Sequence, residues 1–560
     1  MKTNLKSLLF VGTLLVSVLS SCALFDDVAY TVTPDPLELH GDSVKVKVSA
    51  TIPEKSINKK AIADVTPVLR WEGGEKALKM ITVQGEKAVG NGVVINSKTG
   101  GTFTYTDMIL FEPGMEKSEL FVTAMAGKGT NRSELPEAKI SDGVITTPLL
   151  VMSDDKVIMS DDKFERITQH NTMATINYMV NSSKVRNNEM NDEDIDKLKG
   201  FLAQVNENDR WDLTGVSSDA YASPEGEISK NENLANDRAE SSSTAINKVF
   251  KKEGLEGLES MFTKSGKGED WDGFRDLMNE SNIEDKNLII RILETYTDKD
   301  KREEEIKNLA ATYVEISKDI LPKLRRSQMQ INYDITGFSD EELVSMSKST
   351  PDDLNVEELL KAGSLHNDMT DKLNTYMAAE RMFPDDHRAS NNVGCVLFMQ
   401  NKVTEAAAKF NKADQLQKSP QATNNLGVIA RLNGDKEEAE ELFRDALSAG
   451  PDASYNLGIV NIQTGDYAEA VSNMSGSDTF NSALAQLLSG SKDGASSALT
   501  KSSDNDSAMG LYLKAIIAAR NDDEAGAKSM LSAAVAKDSS LGAKAMMDAE
   551  FIKFRDTLSF

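Results

Sequence analysis

The 560-residue chain predicts a multidomain fold of three kinds in series: an N-terminal all-β sandwich, a central α+β domain and a C-terminal α-helical solenoid. Three observations predict it. Residues 29–150 alternate apolar and polar side chains with period two, residues 171–336 mix strand and helix periods, and the last third repeats itself. Length points the same way, because single hydrophobic cores stop growing at roughly 250–300 residues. Lys and Arg number 63 against 89 Asp and Glu, a net charge of −26. A surface this acidic repels phosphate backbones and argues against nucleic acid as a partner. With only Cys22 and Cys395, no disulfide framework organises the fold.

Residues 1–21 read as an export signal. Lys2 and Lys6 precede a short apolar run from Leu8 to Leu19, too brief for a stable membrane span. The run ends in Leu19-Ser20-Ser21-Cys22, which resembles the lipobox of bacterial lipoproteins. That resemblance implies a diacylglyceryl group on Cys22, cleavage before it, and residues 22–28 as a lipidated linker. Several buried acyl chains, at about 0.8 kcal/mol per methylene, anchor a body that does not itself span the bilayer. Ala23 follows Cys22 where an aspartate retains lipoproteins at the inner membrane, so the resemblance implies an outer-membrane destination, the periplasmic side being favoured over the cell surface.

Within 29–150, Ala29–Val32, Ser43–Val48, Val68–Trp71, Thr102–Thr106 and Leu120–Thr123 are period-two runs rich in β-branched and aromatic residues. Thr33-Pro34-Asp35-Pro36 and Gly100-Gly101 break them. A sandwich, immunoglobulin-like in the simplest closure, buries one face of each.

In the centre, Ala174–Val180 and Trp211–Val216 read as strands. Asp192–Asn206 and Ser229–Lys252 read as helices, Ile306 to Leu324 as one long amphipathic helix, and Gln328–Ile335 as a closing strand. Ser223-Pro224-Glu225-Gly226, then Asn231, Leu234 and Arg238-Ala239, have the spacing of the OmpA/MotB peptidoglycan-associated signature, and Arg325-Arg326 matches the pair that opens that family's last strand. Residues 171–336 therefore resemble an OmpA-like domain of β-α-β-α-β form, with a helical insertion at about 264–323. The resemblance implies that Ser223, Glu225, Gly226, Asn231 and Arg238 meet peptidoglycan or a partner. Ser223 stands where the family has an aspartate, so the negative half of the family's clamp is absent and Glu225 is the candidate substitute.

From 350 to 555 the chain repeats. Asn391-Asn392-Val393-Gly394, Asn424-Asn425-Leu426-Gly427 and Tyr455-Asn456-Leu457-Gly458 are followed at constant distance by Ala406, Ala439 and Ala470, and then by Phe410, Phe443 and Met474. This resembles the tetratricopeptide repeat, in which small residues let paired helices approach and an aromatic fills the gap. Five or six helical hairpins are expected, the first starting near Asn355. Cys395 reads as a small buried apolar residue.

No P-loop, dinucleotide fingerprint, zincin helix or nucleophile elbow occurs, and the four histidines make no metal-ligand spacing. No enzyme activity, cofactor or metal is expected. The sequence reads as an outer-membrane-anchored envelope scaffold that binds envelope proteins through its repeats. The alternatives are a peptidoglycan tether and a surface accessory of fimbriae, glycan uptake or secretion machinery.

Overall fold

The structure, a computed structural model, describes Phe25 and residues 27–560. The export signal and the acylation site Cys22 lie outside the described residues. The chain divides into two compact units, one built from residues up to Asp161 together with His366–Phe560, the other from Asp162–Leu365.

The first unit begins with two β-sheets. One orders Ala29–Val32, Ser43–Ile52, Leu37–His40 and Val144–Ile145, with Gly101–Leu110 also on Ser43–Ile52. The other orders Asn131–Glu134, Ser118–Lys128, Ala61–Trp71, Ile81–Gly85 and Val93–Ile95, with Ala138–Asp142 and Gly74–Ala77 attached. Alternation decides the packing: Val44, Val46, Val48 and Ala50 from one sheet join Ala61, Ala63, Val65, Leu120, Val122 and Ala126 from the other in one core. Each fully buried valine or leucine contributes about 1.5–3 kcal/mol. The N-terminal region is thus β-rich as expected, with strands longer and more numerous than the alternating runs alone mark.

The rest of this unit is helical. Met369–Met382 leads into five hairpins: His387–Met399 with Val403–Leu416, Pro420–Asn433 with Lys436–Asp445, Pro451–Thr464 with Tyr467–Asn473, Phe480–Leu488 with Lys492–Lys501, and Ala508–Arg520 with Glu524–Lys537. Ser540–Met547 closes the row. The repeated glycines mark where helices touch. A Cβ on Gly394 would lie 2.6 Å from the Phe410 ring, on Gly427 2.8 Å from Phe443, and on Gly458 2.6 Å from Met474. Ala406, Ala439 and Ala470 are fully buried beside them. The expected hairpin starting near Asn355 is not part of this row. Val356–Leu365 belongs to the other unit, where it packs on Asp340–Ser349.

That second unit holds a four-stranded sheet in the order Ile167–Asn177, Arg326–Thr336, Trp211–Ala222 and Phe262–Glu269. Glu193–Glu207 and Ile228–Lys252 bury Ile195, Leu198, Leu202, Ile246 and Phe250 against Ala174, Ile176, Val216, Met329 and Ile331. Two expectations are corrected here. Residues 264–269 are strand rather than insertion, paired in parallel to Val216–Ala222; Gly266 and Gly268 and the scarcity of apolar side chains hide that edge strand from any period-two reading. The single helix expected over 306–324 is three, Lys299–Asn308, Ala310–Asp319 and Leu321–Leu324. Leu309 leaves helical geometry at φ −84°, ψ 62°, and Pro322, which has no N–H to donate, restarts the last piece. The inserted helices from Trp271 to Leu324 carry their own core of Phe274, Met278, Ile289, Ile306, Ile316 and Leu321. Among the described residues no helix is long and apolar enough to cross a membrane.

Candidate functional site

Asparagine is a poor helix former, and a buried amide must find partners for a donor group and an acceptor. Yet Asn391, Asn392, Asn424, Asn425, Asn456 and Asn481 sit inside the first helices of four successive hairpins, all at most 1% exposed. Their partner is the chain itself. Residues 151–161, which lead out of the β-sheets and have no helix or ladder of their own, run extended across these helices.

The contacts are to backbone. Asn481 accepts from the Met152 N–H at 2.8 Å and donates to the Met152 carbonyl at 2.9 Å. Asn456 does the same to Lys156, at 2.8 Å in both directions, Asn425 to Ile158 at 2.7 and 2.9 Å, and Asn392 to Ser160 at 2.7 and 2.9 Å. A side-chain amide offers one donor and one acceptor on the same edge, as a neighbouring β-strand does, so it grips any extended peptide unit without reading its side chain. Asn424 and Asn391 brace the rungs: each donates to a segment carbonyl and accepts from the next hairpin's asparagine, Asn456 to Asn424 and Asn425 to Asn391, both at 2.9 Å. The segment runs opposite to the order of the hairpins, from Asn481 back to Asn392.

Side chains add specificity. Asp155 takes the Arg431 guanidinium in a two-pronged pair, with only 2% and 4% of the two side chains exposed. Asp154 accepts from the Tyr455 hydroxyl and from Asn481, both at 2.7 Å. Cys395 is fully buried, burial pushes its thiol pKa up, and its Sγ donates to the Ile158 carbonyl at 3.4 Å. The same unit ties its β-sheets to the hairpin turns. Lys436 pairs with Asp42 at 2.7 Å, and the His40 ring meets Tyr467 edge-on at 5.0 Å.

The residues singled out by the OmpA-like resemblance gather in the second unit. Ser223 donates to Glu225 at 2.6 Å, and Arg325 pairs with Glu225 at 2.8 Å. Asn231 bridges the Ser223 and Glu225 carbonyls and Glu269, while the Gly226 N–H, in a loop with φ +96°, donates to Glu303 of the inserted helices at 2.7 Å. Arg238 is 1% exposed. Its guanidinium donates to the carbonyls of Ser182, Tyr221 and Met179 at 3.0, 2.7 and 3.3 Å beneath the Tyr178 ring. Burial lowers its pKa to about 10. The structure therefore brings these five residues together, with Glu225 on Arg325 and Arg238 enclosed by backbone. Among the described residues no cluster of three or more His, Cys, Asp or Glu is arranged to hold a metal ion.

Residues 373–422, 413–454 and 425–472 match the tetratricopeptide repeat family. The C-terminal helices are tetratricopeptide repeats. No curated protein matches the chain. Among solved structures, a tetratricopeptide repeat protein from Parabacteroides merdae is 17% identical with a TM-score of 0.27, covering 39% of this chain and 90% of that one. The Cut9 and Hcn1 hetero-tetramer of the APC/C gives 14% identity and a TM-score of 0.31 over 59% of this chain and 77% of that one. YrrB, titled as having an unusual peptide-binding site, gives 16% and 0.23 over 37% and 98%. These similarities concern the helical repeats as a fold.

Proposed function

We propose that the chain is a non-enzymatic scaffold of the bacterial cell envelope, held to the outer membrane by acyl chains on Cys22, with tetratricopeptide repeats that organise its own modules and recruit protein partners. The observation that carries this reading is the asparagine ladder. Its side chains touch only peptide units, carboxylates and hydroxyls, a chemistry of holding polypeptide rather than of transforming a substrate. Because the ladder holds residues 151–161, the β-sheets are fastened to the repeats, and partners meet the second helices and hairpin turns. Two measurements test it. Labelled palmitate is incorporated by the wild type and lost on Cys22→Ser, and envelope pull-downs recover protein through residues 366–560. A chain free in the cytosol, or pull-downs empty of any repeat-dependent protein, refutes the proposal.

The tether reading requires Arg238 to meet a carboxylate of the cell wall, and its donors already serve three carbonyls. The scaffold reading is therefore preferred. Sedimentation with purified sacculi that is lost on Arg238→Lys, with the fold intact, reverses the preference. Proteolysis of intact cells separates a periplasmic body from a surface accessory.

A further inference from the structure

The strand Ile167–Asn177 lies at one edge of the second unit's sheet. Its eleven residues contain no Asp, Glu, Lys, Arg, Pro or Gly, in a chain of which 27% is charged. Natural edge strands are normally blunted by charge, proline, bulges or a covering element. This one shows none of the sequence devices, and its register with Arg326–Thr336 is unbroken over all eleven pairs.

The backbone direction of each residue follows from the ends. The Tyr178 N–H donates to the Arg325 carbonyl and the Gly337 N–H to the Arg166 carbonyl, both at 2.7 Å, so even-numbered residues bond inward. The Asn177 N–H turns the other way, to Glu189 at 3.0 Å. Ile167, Gln169, Asn171, Met173 and Thr175 thus aim their N–H and C=O groups away from the sheet, and no hydrogen bond among the described residues takes them. Their side chains stand on the face opposite the buried Ala174 and Ile176, and Ile167 and Met173 are 56% and 54% exposed.

We infer that this edge pairs antiparallel with the same strand of a second copy of the chain, about a two-fold axis at Asn171. That axis sets Gln169 against Met173, Ile167 against Thr175, and Asn171 against itself. Charge selects this occupant. Two chains of net −26 repel each other, and self-pairing brings every charge on the strand opposite its own kind; a strand with no charge is the one seam that escapes this penalty. The paired sheet continues through both copies and leaves no open edge at this position.

The full chain, purified with Cys22→Ser so that the buried Cys395 is the remaining thiol, tests the pairing. Asn171→Cys puts two thiols at an opposed pair, where Cα atoms lie about 5.5 Å apart, within disulfide reach. Mild oxidation yields a covalent dimer, and the exposed Gln330→Cys on the neighbouring strand does not. By light scattering the parent is a dimer, Asn171→Asp and Asn171→Lys each dissociate at least tenfold more readily, and their equimolar mixture dimerises again. Met173→Pro removes an outward N–H without touching the inward ladder and gives a monomer. A monomeric parent at its highest soluble concentration overturns the inference. So does a dimer that survives both Asn171→Asp and Met173→Pro, or an edge taken by a strand of a different protein.

Discussion

Replacing Asp155 by alanine removes half of an ion pair whose two side chains are 2% and 4% exposed, leaving the Arg431 guanidinium buried beneath the extended segment. Breaking one partner of such a pair costs about 3–5 kcal/mol, because the remaining charge is desolvated without compensation. The segment can lift away and let water reach Arg431, so most of this cost falls on its attachment rather than on the helices beneath. Taking about 3 kcal/mol and a factor of ten per 1.4 kcal/mol, the detached population rises roughly 150-fold. Trypsin reads this at Lys156, whose peptide unit is clamped by Asn456. When reclosing is faster than cleavage, the rate follows the open population. Cleavage at Lys156 in Asp155→Ala is therefore expected to accelerate by about two orders of magnitude, with helical circular dichroism unchanged. Asp155→Leu combined with Arg431→Met restores most of the protection, since a well-packed apolar pair is often as stable as the ionic one. Cleavage within twofold of wild type, with the helices intact, refutes the claim that this pair latches the segment.

Gly427→Ala gains about 1 kcal/mol of helix propensity but drives a methyl to 2.8 Å from the Phe443 ring. A net loss of stability of about 1–2 kcal/mol in urea denaturation is expected, relieved by Phe443→Leu. Arg238→Met leaves three carbonyls without their donors and lowers the stability of the second unit by at least ~2 kcal/mol, read by fluorescence of Trp211 and Trp271. Asp548, buried and accepting from Tyr512 at 2.7 Å, has its pKa raised by burial first and by Glu550 next. Its stabilising contribution is complete below the ordinary carboxylate value and is lost as pH rises through the raised one. Asp548→Asn is accordingly expected to raise the melting temperature at neutral pH, with the gain vanishing below about pH 4; an equal gain at both pH values rejects the burial argument.

Legibility in the sequence followed the range of the physics. Gly394, Ala406 and Phe410 are separated by one hairpin, so their contact recurs at fixed spacing and the repeats announce themselves. The asparagines recur in the same frame, and Asn391-Asn392 and Asn424-Asn425 read as repeat markers, but their partners lie some 230 to 330 residues away. A signal was present nonetheless: a residue unfavourable in helices returns at a buried position of hairpin after hairpin, which signifies an amide retained for a bond. Asp155 and Arg431 carried no such mark, because neither recurs.

The edge strand makes the converse point. Period-two reading finds it only from Ala174 onward, where Ala174 and Ile176 enter the core, and passes over Ile167–Met173, where polar and apolar residues follow no alternation. Those residues are strand because Arg326–Thr336 offers them an inward ladder over its whole length, not because one of their faces is buried. Propensity fails there since propensity in strands largely measures half-burial. A stretch held in a sheet by backbone alone, open on its outer side and free of charge, retains β-geometry without an internal packing reason for its side chains. Pairing with a second copy supplies that reason, and it ties the strand's illegibility and its neutrality to a single cause.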